Sequence, residues 1–409
     1  MSTPRAAGRI VIVGGGIAGY SAAEQLRALG HAGTITIVDR EQASYDRPPL
    51  SKKLFDDDFS LDSIAFASAE KLESRHITTH FGHAVVGMDP DAASVTLDDG
   101  TTLAADTILL ATGGHARTLR IPGADLPGVL VLRTFADAVA IRERTHPGTR
   151  VAVIGAGLIG AELASSLHQV GATVTLVDPV MVPLVPAVGE VMADHLHSMH
   201  EEHGLSVVVG ITAGIESVDG HLVVSIDGDP SVQADVVVVG VGIVPNTELA
   251  EAAGLDLDNG VLIDRSHQTS AEKVFATGDV ARRRDENGVS HRREEHWEAA
   301  QLGGQRAAYG MLGLDIPTAG APWFWSDRHG IHLEVAGRMT GPGDVVVRDA
   351  GAHPTVFLVH DGLLVGAAAI DDGNTVRAAR RLIDQRIPIT PEMLADASVP
   401  IRSLVKAAR

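Results

Sequence analysis

Six glycines in two sets have the spacing to hold a pair of diphosphates. Gly14-Gly15-Gly16-Ile17-Ala18-Gly19 and Gly155-Ala156-Gly157-Leu158-Ile159-Gly160 share one pattern and lie 141 residues apart. In such a loop the first glycine permits a tight turn and the second lets a pyrophosphate approach the backbone. The third lets helix and strand pack closely, and the phosphates face the positive end of the helix. An acid follows each set at a matching interval: Asp39 stands 25 residues beyond Gly14, and Asp178 stands 23 beyond Gly155. A carboxylate at that place accepts hydrogen bonds from ribose hydroxyls. Two such constellations imply two dinucleotides in one chain, and electron traffic between them.

The elements that position these residues can be read around them. The β-branched runs Ile10 to Val13 and Val151 to Ile154 precede the two loops, and each loop opens an Ala- and Leu-rich helical stretch. Thr34 to Val38 and Thr173 to Val177 predict the second strands, each leading into its acid. Asp106 to Gly113 and Ala234 to Gly242 are apolar runs that end in small residues. They predict parallel strands passing close to a cofactor, with Ala111, Thr112, Gly113 and Gly242 at their ends. Val274 to Asp279 predicts one more strand, whose end presents Gly278 and the Asp279 carboxylate.

Composition excludes several other chemistries. A chain of 409 residues predicts two or three domains, and 45% hydrophobic with 21% charged residues is globular. No apolar stretch reaches the roughly 18 residues of a membrane span. The leader Met1 to Arg9 is short and polar, so no secretory signal and a cytoplasmic location are expected. A net charge of −19 argues against nucleic-acid binding. Zero cysteines removes disulfides, thiolate metal sites, iron–sulfur ligation and any redox-active thiol pair. Electrons must therefore move through a bound organic cofactor.

Three further motifs carry a resemblance: Tyr45-Asp46-Arg47-Pro48-Pro49-Leu50-Ser51-Lys52, Glu295-His296-Trp297-Glu298-Ala299-Ala300-Gln301 and Pro322-Trp323-Phe324-Trp325-Ser326-Asp327. With the paired fingerprints and Thr277-Gly278-Asp279, they make the chain resemble, nearly end to end, the two-dinucleotide-binding flavoproteins. Within that family it is similar to the ferredoxin reductases of bacterial oxygenase systems, the putidaredoxin reductase and rubredoxin reductase group. The resemblance implies an α/β fold with two Rossmann-like dinucleotide-binding domains and a C-terminal α/β interface domain. Residues 1–114 and 246–320 would form the FAD domain, interrupted by an NAD domain at 115–245, with 321–409 as the C-terminal domain. The implied cofactors are FAD and NADH. The implied partner is a [2Fe-2S] ferredoxin, or a rubredoxin, with no nucleic acid and no membrane; a monomer or weak homodimer is expected.

The same resemblance distributes roles. FAD falls to Gly14, Gly16, Ile17, Ala18, Gly19 and Asp39; NADH falls to Gly155, Gly157, Leu158, Ile159, Gly160 and Asp178. Lys52 is implied near flavin N5, where its charge favours reduced flavin, with Glu162 facing it and the nicotinamide. A buried Lys–Glu pair is costly, which suits a cofactor site better than a core. Arg47 and Arg133 are implied at the phosphate and adenosine side of FAD, the Val85 backbone at the adenine, and Asp279 at the ribityl chain. Glu295, His296 and Trp297 are implied as cofactor-binding, with Trp297 packed at the flavin ring. Trp325 is implied where electrons leave; Trp323 belongs there or in the core. Hydride transfer from nicotinamide to flavin needs no nucleophile, so catalysis is stacking, distance and electrostatics. Flavin accepts two electrons together and releases them singly, which suits a one-electron carrier feeding a cytochrome P450 or Rieske oxygenase. The alternatives are a rubredoxin reductase, a general NADH:acceptor diaphorase, or a redox-sensing flavoprotein resembling apoptosis-inducing factor.

Some segments depart from the family. Asp178 is followed by Pro179-Val180-Met181-Val182-Pro183-Leu184, with no Lys or Arg from Pro179 to Asp194, where relatives carry arginines. A 2′-phosphate would find no cation there, so NADH is expected over NADPH. After Asp327 the usual amides and aromatic are replaced by Arg328-His329-Gly330. His195, His197, His200 and His203 read as a solvated helix face, and no metal is expected. Arg282 to Arg293 reads as a hairpin about Asn287-Gly288, its charges a solvated face or a basic patch for an acidic ferredoxin. Residues 374–409 point the same way, with seven Lys/Arg against three acids.

Overall fold

Ile10–Val13 is apolar and buried at every position, the mark of a strand covered on both faces. It is the middle strand of a parallel five-stranded sheet ordered Val274–Ala276, Thr107–Leu110, Ile10–Val13, Ile35–Asp39, Ile77–Phe81. The structure, a computed structural model, describes residues 7–349 and 352–407. The sheet belongs to the first of two compact units, which comprises the chain up to Arg47, Asp58–His115 and Ile243–Ala319. Helices Ile17–Ala28 and Trp297–Met311 cover one face, with Ala22, Leu26, Ile35, Leu109 and Ala307 between. The helices approach so closely that a Cβ on Gly304 would overlap the Ala18 carbonyl oxygen. On the other face Val95 and Leu97, from the antiparallel sheet Val85–Asp89, Ser94–Leu97 and Thr102–Ala104, pack with Val11, Val38 and Ile108.

The second unit comprises Pro48–Asp57, Ala116–Gly242 and the chain from Gly320. It repeats the plan with a parallel sheet ordered Ser206–Val209, Thr173–Asp178, Arg150–Ile154, Val236–Val239, Val129–Val131. The strand leading into the glycine loop is again central, and the acid-bearing strand lies beside it. Antiparallel strands Thr212–Val218, His221–Ile226 and Asp229–Ala234 pack Ile215, Leu222 and Val224 on this sheet. The C-terminal part is an antiparallel sheet ordered Trp323–Arg328, Ile331–Gly337, Leu363–Ile370, Pro354–His360, Asp344–Asp349. Helices Gly373–Asp384, Pro391–Ala395 and Ile401–Ala407 bury one face of it, and helix Glu190–Glu202 packs Met192, Leu196 and Met199 on the other.

The later parallel strands are shorter than the apolar runs that announced them. Thr107–Leu110 and Val236–Val239 stop where small residues begin, and Gly113 and Gly242 then turn with φ of 62° and 99°. Val274–Ala276 gives way to a tight turn over Gly278–Val280. The Asn287-Gly288 hairpin forms: Arg284 bridges Ser290, and Asp285 Oδ1 accepts from the Asn287 and Val289 N–H groups. Among the described residues no helix is long and apolar enough to cross a membrane.

Candidate active site

The two glycine loops are built alike. Gly14 and Gly155 take φ of 110° and 102°, open to glycine and strained for any side chain. A Cβ on Gly155 would lie 2.5 Å from the Gly240 carbonyl oxygen, and one on Gly14 would overlap that of Ala111. Gly19 and Gly160 each back onto the carbonyl of the first glycine in their own set. Gly16 and Gly157, by contrast, have no atom within 4 Å of a Cβ position. Helices Ile17–Ala28 and Leu158–Gln169 start at these two glycines with no side-chain cap and no acid in the first turn. Several other helices are capped; Thr134, for instance, caps Phe135–Arg144 with a full capping box. The uncapped first-turn N–H groups are left for an anion.

Both acids are tied into their loops. Asp39 Oδ2 accepts from Gly15 N–H at 2.5 Å and Oδ1 from Glu41 N–H at 2.9 Å. Asp178 does the same with Ala156 N–H and Val180 N–H, both at 2.8 Å. Each carboxylate oxygen keeps a lone pair, so a ribose hydroxyl can still be received. The crowded outer glycines, the open middle ones and the bare helix ends fit one dinucleotide diphosphate at each loop.

The first unit gathers further residues near its loop. Thr112 and Asn246 exchange two hydrogen bonds of 2.9 and 2.8 Å, which fixes the turn at Gly113. A Cβ on Gly278 would meet Ala18 Cβ at 2.8 Å, so the Thr-Gly-Asp turn abuts the first loop's helix. Arg293 donates to the Asp279 carbonyl at 2.8 Å and pairs with Glu295 at 2.8 Å. Burial holds the His296 imidazole below its ordinary pKa, with the Asp279 charge opposing. Trp297 Nε1 donates to Asp46 Oδ1 at 2.7 Å, and the Arg47 guanidinium lies 5.4 Å from the Tyr45 ring centre. Val85 opens the antiparallel sheet, half-buried. Arg133 falls in the second unit, where its N–H bonds Asp137 at the head of a helix.

The second unit brings Lys52, Glu162 and Trp325 together. Lys52 Nζ lies 2.9 Å from Glu162 Oε2, with side-chain exposures of 15% and 5%. Lys52 is thus no free surface cation. Its Nζ also sits 5.7 Å from the Trp325 ring centre and 3.9 Å from Asp327 Oδ2. Glu162 Oε2 accepts a second bond from Ser51 Oγ at 2.6 Å, and Oε1 accepts from Ser326 Oγ at 2.6 Å. Ser166, one turn along the same helix face, donates to the Ser51 carbonyl at 2.7 Å. Trp323 and Trp325 stack at 5.1 Å, and Trp323 Nε1 donates to Glu334 Oε2 at 2.8 Å.

Residues 8–304 match the family described as pyridine nucleotide-disulphide oxidoreductase. The chain belongs to that family. Residues 323–405 match the reductase C-terminal family. The oxidoreductase is 35% identical to rhodocoxin reductase of Rhodococcus erythropolis over 401 residues, covering 96% of this chain and 93% of that one. It is 38% identical to the anthranilate 1,2-dioxygenase system ferredoxin–NAD(+) reductase component of Burkholderia cepacia, covering 97% and 98%. Its fold matches the reductase in the covalent putidaredoxin reductase–putidaredoxin complex with a TM-score of 0.92, at 30% identity and 99% coverage of both chains. The same score and identity relate it to the ferredoxin reductase for the CYP199A2 system from Rhodopseudomonas palustris, covering 98% and 100%. This oxidoreductase is a flavoprotein with FAD and NAD(H) as its cofactors. The disulphide of the family description has no counterpart in a chain without cysteine.

Three readings of the sequence need correction or completion. His200 is not on a solvated face: it is 1% exposed, and its Nδ1 lies 2.9 Å from His329 Nε2. The ring of His329 also stacks on His203 at 4.5 Å. Burial, first of all, takes the His200 imidazole down to about 3 and that of His329 to about 4. In the arginine-rich hairpin, Arg282 pairs with Asp258 at 2.7 Å and Arg284 with Asp256 at 3.2 Å, acids of a preceding loop, which reduces the charge left for a basic patch. Ser51, Ser326 and Arg328 were not singled out for a role at Glu162. Strand alternation carries the missed signal, since Phe324, Ser326 and Arg328 share the buried face of Trp323–Arg328.

Proposed function

We propose that this oxidoreductase is a cytoplasmic NADH:ferredoxin reductase that hands single electrons to a [2Fe-2S] ferredoxin of an oxygenase system. The carrying observation is the buried Lys52–Glu162 pair. Its cost in desolvation suits a cofactor site. When bound, FAD supplies the two-electron acceptor for the nicotinamide hydride and the one-electron donor for the carrier.

The chain's own residues supply position and charge. Lys52 would supply an ammonium to the bound flavin, favouring negative charge on it. Glu162 fixes Lys52 and borders the nicotinamide, while Ser51 and Ser326 hold its two oxygens in one orientation. Gly14, Gly16, Gly19 and Asp39 serve the FAD diphosphate and ribose; Gly155, Gly157, Gly160 and Asp178 serve those of NADH. Arg47, Arg133, Val85, Asp279, His296 and Trp297 complete the FAD set, and Trp325 stands on the path outward. In domain terms, residues 1–114 and 246–320 hold FAD, 115–245 hold NADH, and 321–409 form the C-terminal domain. The carboxylate of Asp178 with Val180 and Met181 behind it favours NADH over NADPH.

Rapid mixing with NADH, followed by addition of a [2Fe-2S] ferredoxin, tests the reading. Fast flavin bleaching and stoichiometric ferredoxin reduction are expected, with a lower kcat/KM for NADPH. A reduced protein that passes electrons to no carrier would favour a redox-sensing role instead. Glu162→Gln should slow bleaching by about tenfold to a hundredfold while leaving the FAD content unchanged.

A further inference from the structure

Arg328 stands where the resemblance leads one to expect an amide, and it is 2% exposed. Its Nη2 donates to Ser326 Oγ at 2.8 Å, while Nε and Nη1 are buried without a partner. A guanidinium so placed is costly unless a counter-charge answers it. Burial lowers it to about 10, opposed by the charges of Glu162 and Asp327, so it is a cation at neutral pH. Asp327 is already engaged by His332 at 2.5 Å and by Lys52 at 3.9 Å. His200, His203 and His329, packed nearby, bring no negative charge. Of the two anions, Glu162 is the one joined to Arg328 by hydrogen bonds, through Ser326 Oγ.

The Ser326 hydroxyl makes this link directional. It receives an N–H from Arg328, so its own single proton is free to go to Glu162 Oε1, 2.6 Å away. The far oxygen of the same carboxylate receives Lys52 and Ser51. Glu162 is thus gripped between two cations, one direct and one through a hydroxyl.

We propose that Arg328 is a positioning residue for hydride transfer, acting through Ser326 to hold the Glu162 carboxylate in register with Lys52. The proposal rests on the nicotinamide role given to Glu162 above. Single-turnover bleaching of the FAD-loaded enzyme by NADH is the first measurement, in Arg328→Met, Arg328→Lys, Ser326→Ala and the Arg328→Met/Ser326→Ala double variant. Arg328→Met and Ser326→Ala should each slow bleaching by about tenfold or more, with the dissociation constant of NADH changed far less. The double variant should be no slower than the slower single, because both act along one path. Arg328→Lys, which keeps the charge, should recover most of the rate.

Thermal unfolding provides a readout independent of turnover. Glu162→Gln should lower Tm by orphaning Arg328, and adding Arg328→Met should bring Tm back up. Wild-type bleaching in Arg328→Met, additive slowing in the double variant, or additive Tm losses would each overturn the proposal. Should Arg328→Met fail to fold, Ser326→Ala decides alone: wild-type bleaching there removes the relay. Wild-type bleaching in Glu162→Gln instead overturns the nicotinamide role, and this proposal with it.

Discussion

The first glycine loop is walled in, and the second is open. Ala18 of the first is 7% exposed, pressed by the turn at Gly278 and by helix Trp297–Met311. Its counterpart in the second loop, Ile159, is 44% exposed. The contrast continues past the acids. Asp39 leads into the polar pair Arg40-Glu41, whereas Asp178 leads to Val180 and Met181, exposed by 54% and 69%. In the proposed reading both loops take a diphosphate, and the contrast between them bears on how long each occupant stays. A walled loop suits a group that remains through every turnover. An open one suits a group that must leave each time.

The largest effect should come from adding one methyl at the first glycine of each loop. Gly14→Ala should abolish FAD retention, because its Cβ collides with the Ala111–Thr112 backbone at a strained turn. Gly155→Ala should give a yellow, FAD-loaded protein with NADH affinity weakened by about a hundredfold. Absorbance ratios and NADH titrations check this pair, and equal FAD loss in both variants would break the contrast. Next in size, Val180→Arg should raise the NADPH to NADH ratio of kcat/KM by about tenfold, by supplying the missing cation. Steady-state rates with both donors sharpen the point.

A smaller effect concerns acid. The unfolded chain binds protons at His200 and His329 near the ordinary imidazole pKa of 6.5, but the folded chain only near 3 and 4. Folding stability is therefore intact above 6.5 and lost as pH falls toward 4. Thermal melts should show this loss, and His200→Gln should flatten it. The smallest effect is expected at the hairpin, where Arg282, Arg284 and Arg293 already have acids. Arg284→Ala should change the ferredoxin reduction rate by less than about twofold at physiological salt.

Much of the fold was legible because glycine spacing and β-branched runs are local signals. The acids Asp39 and Asp178 were legible for the same reason, and Lys52 and Glu162, expected to face each other, meet at 2.9 Å. The rest of the cluster depended on register. Ser326 and Arg328 become inner residues only once Trp323–Arg328 is known to alternate about a buried face. His200 departs from the solvated face expected for the four histidines because it falls on the helix's apolar stripe. Met192, Ala193, Leu196 and Met199 share that stripe at helical spacing. A tally of histidines hides what a helical wheel reveals.

The chain passes between its two units five times, after Arg47, Asp57, His115, Gly242 and Ala319. The shortest excursion, Pro48–Asp57, carries Lys52 to its glutamate and then returns. Neither unit is therefore a continuous cassette. Grafting the second unit of this protein onto another flavoprotein by cutting near residues 116 and 242 would leave behind the lysine that pairs with Glu162. A working chimaera would have to borrow that decapeptide as well, from deep within the stretch of sequence that builds the other half.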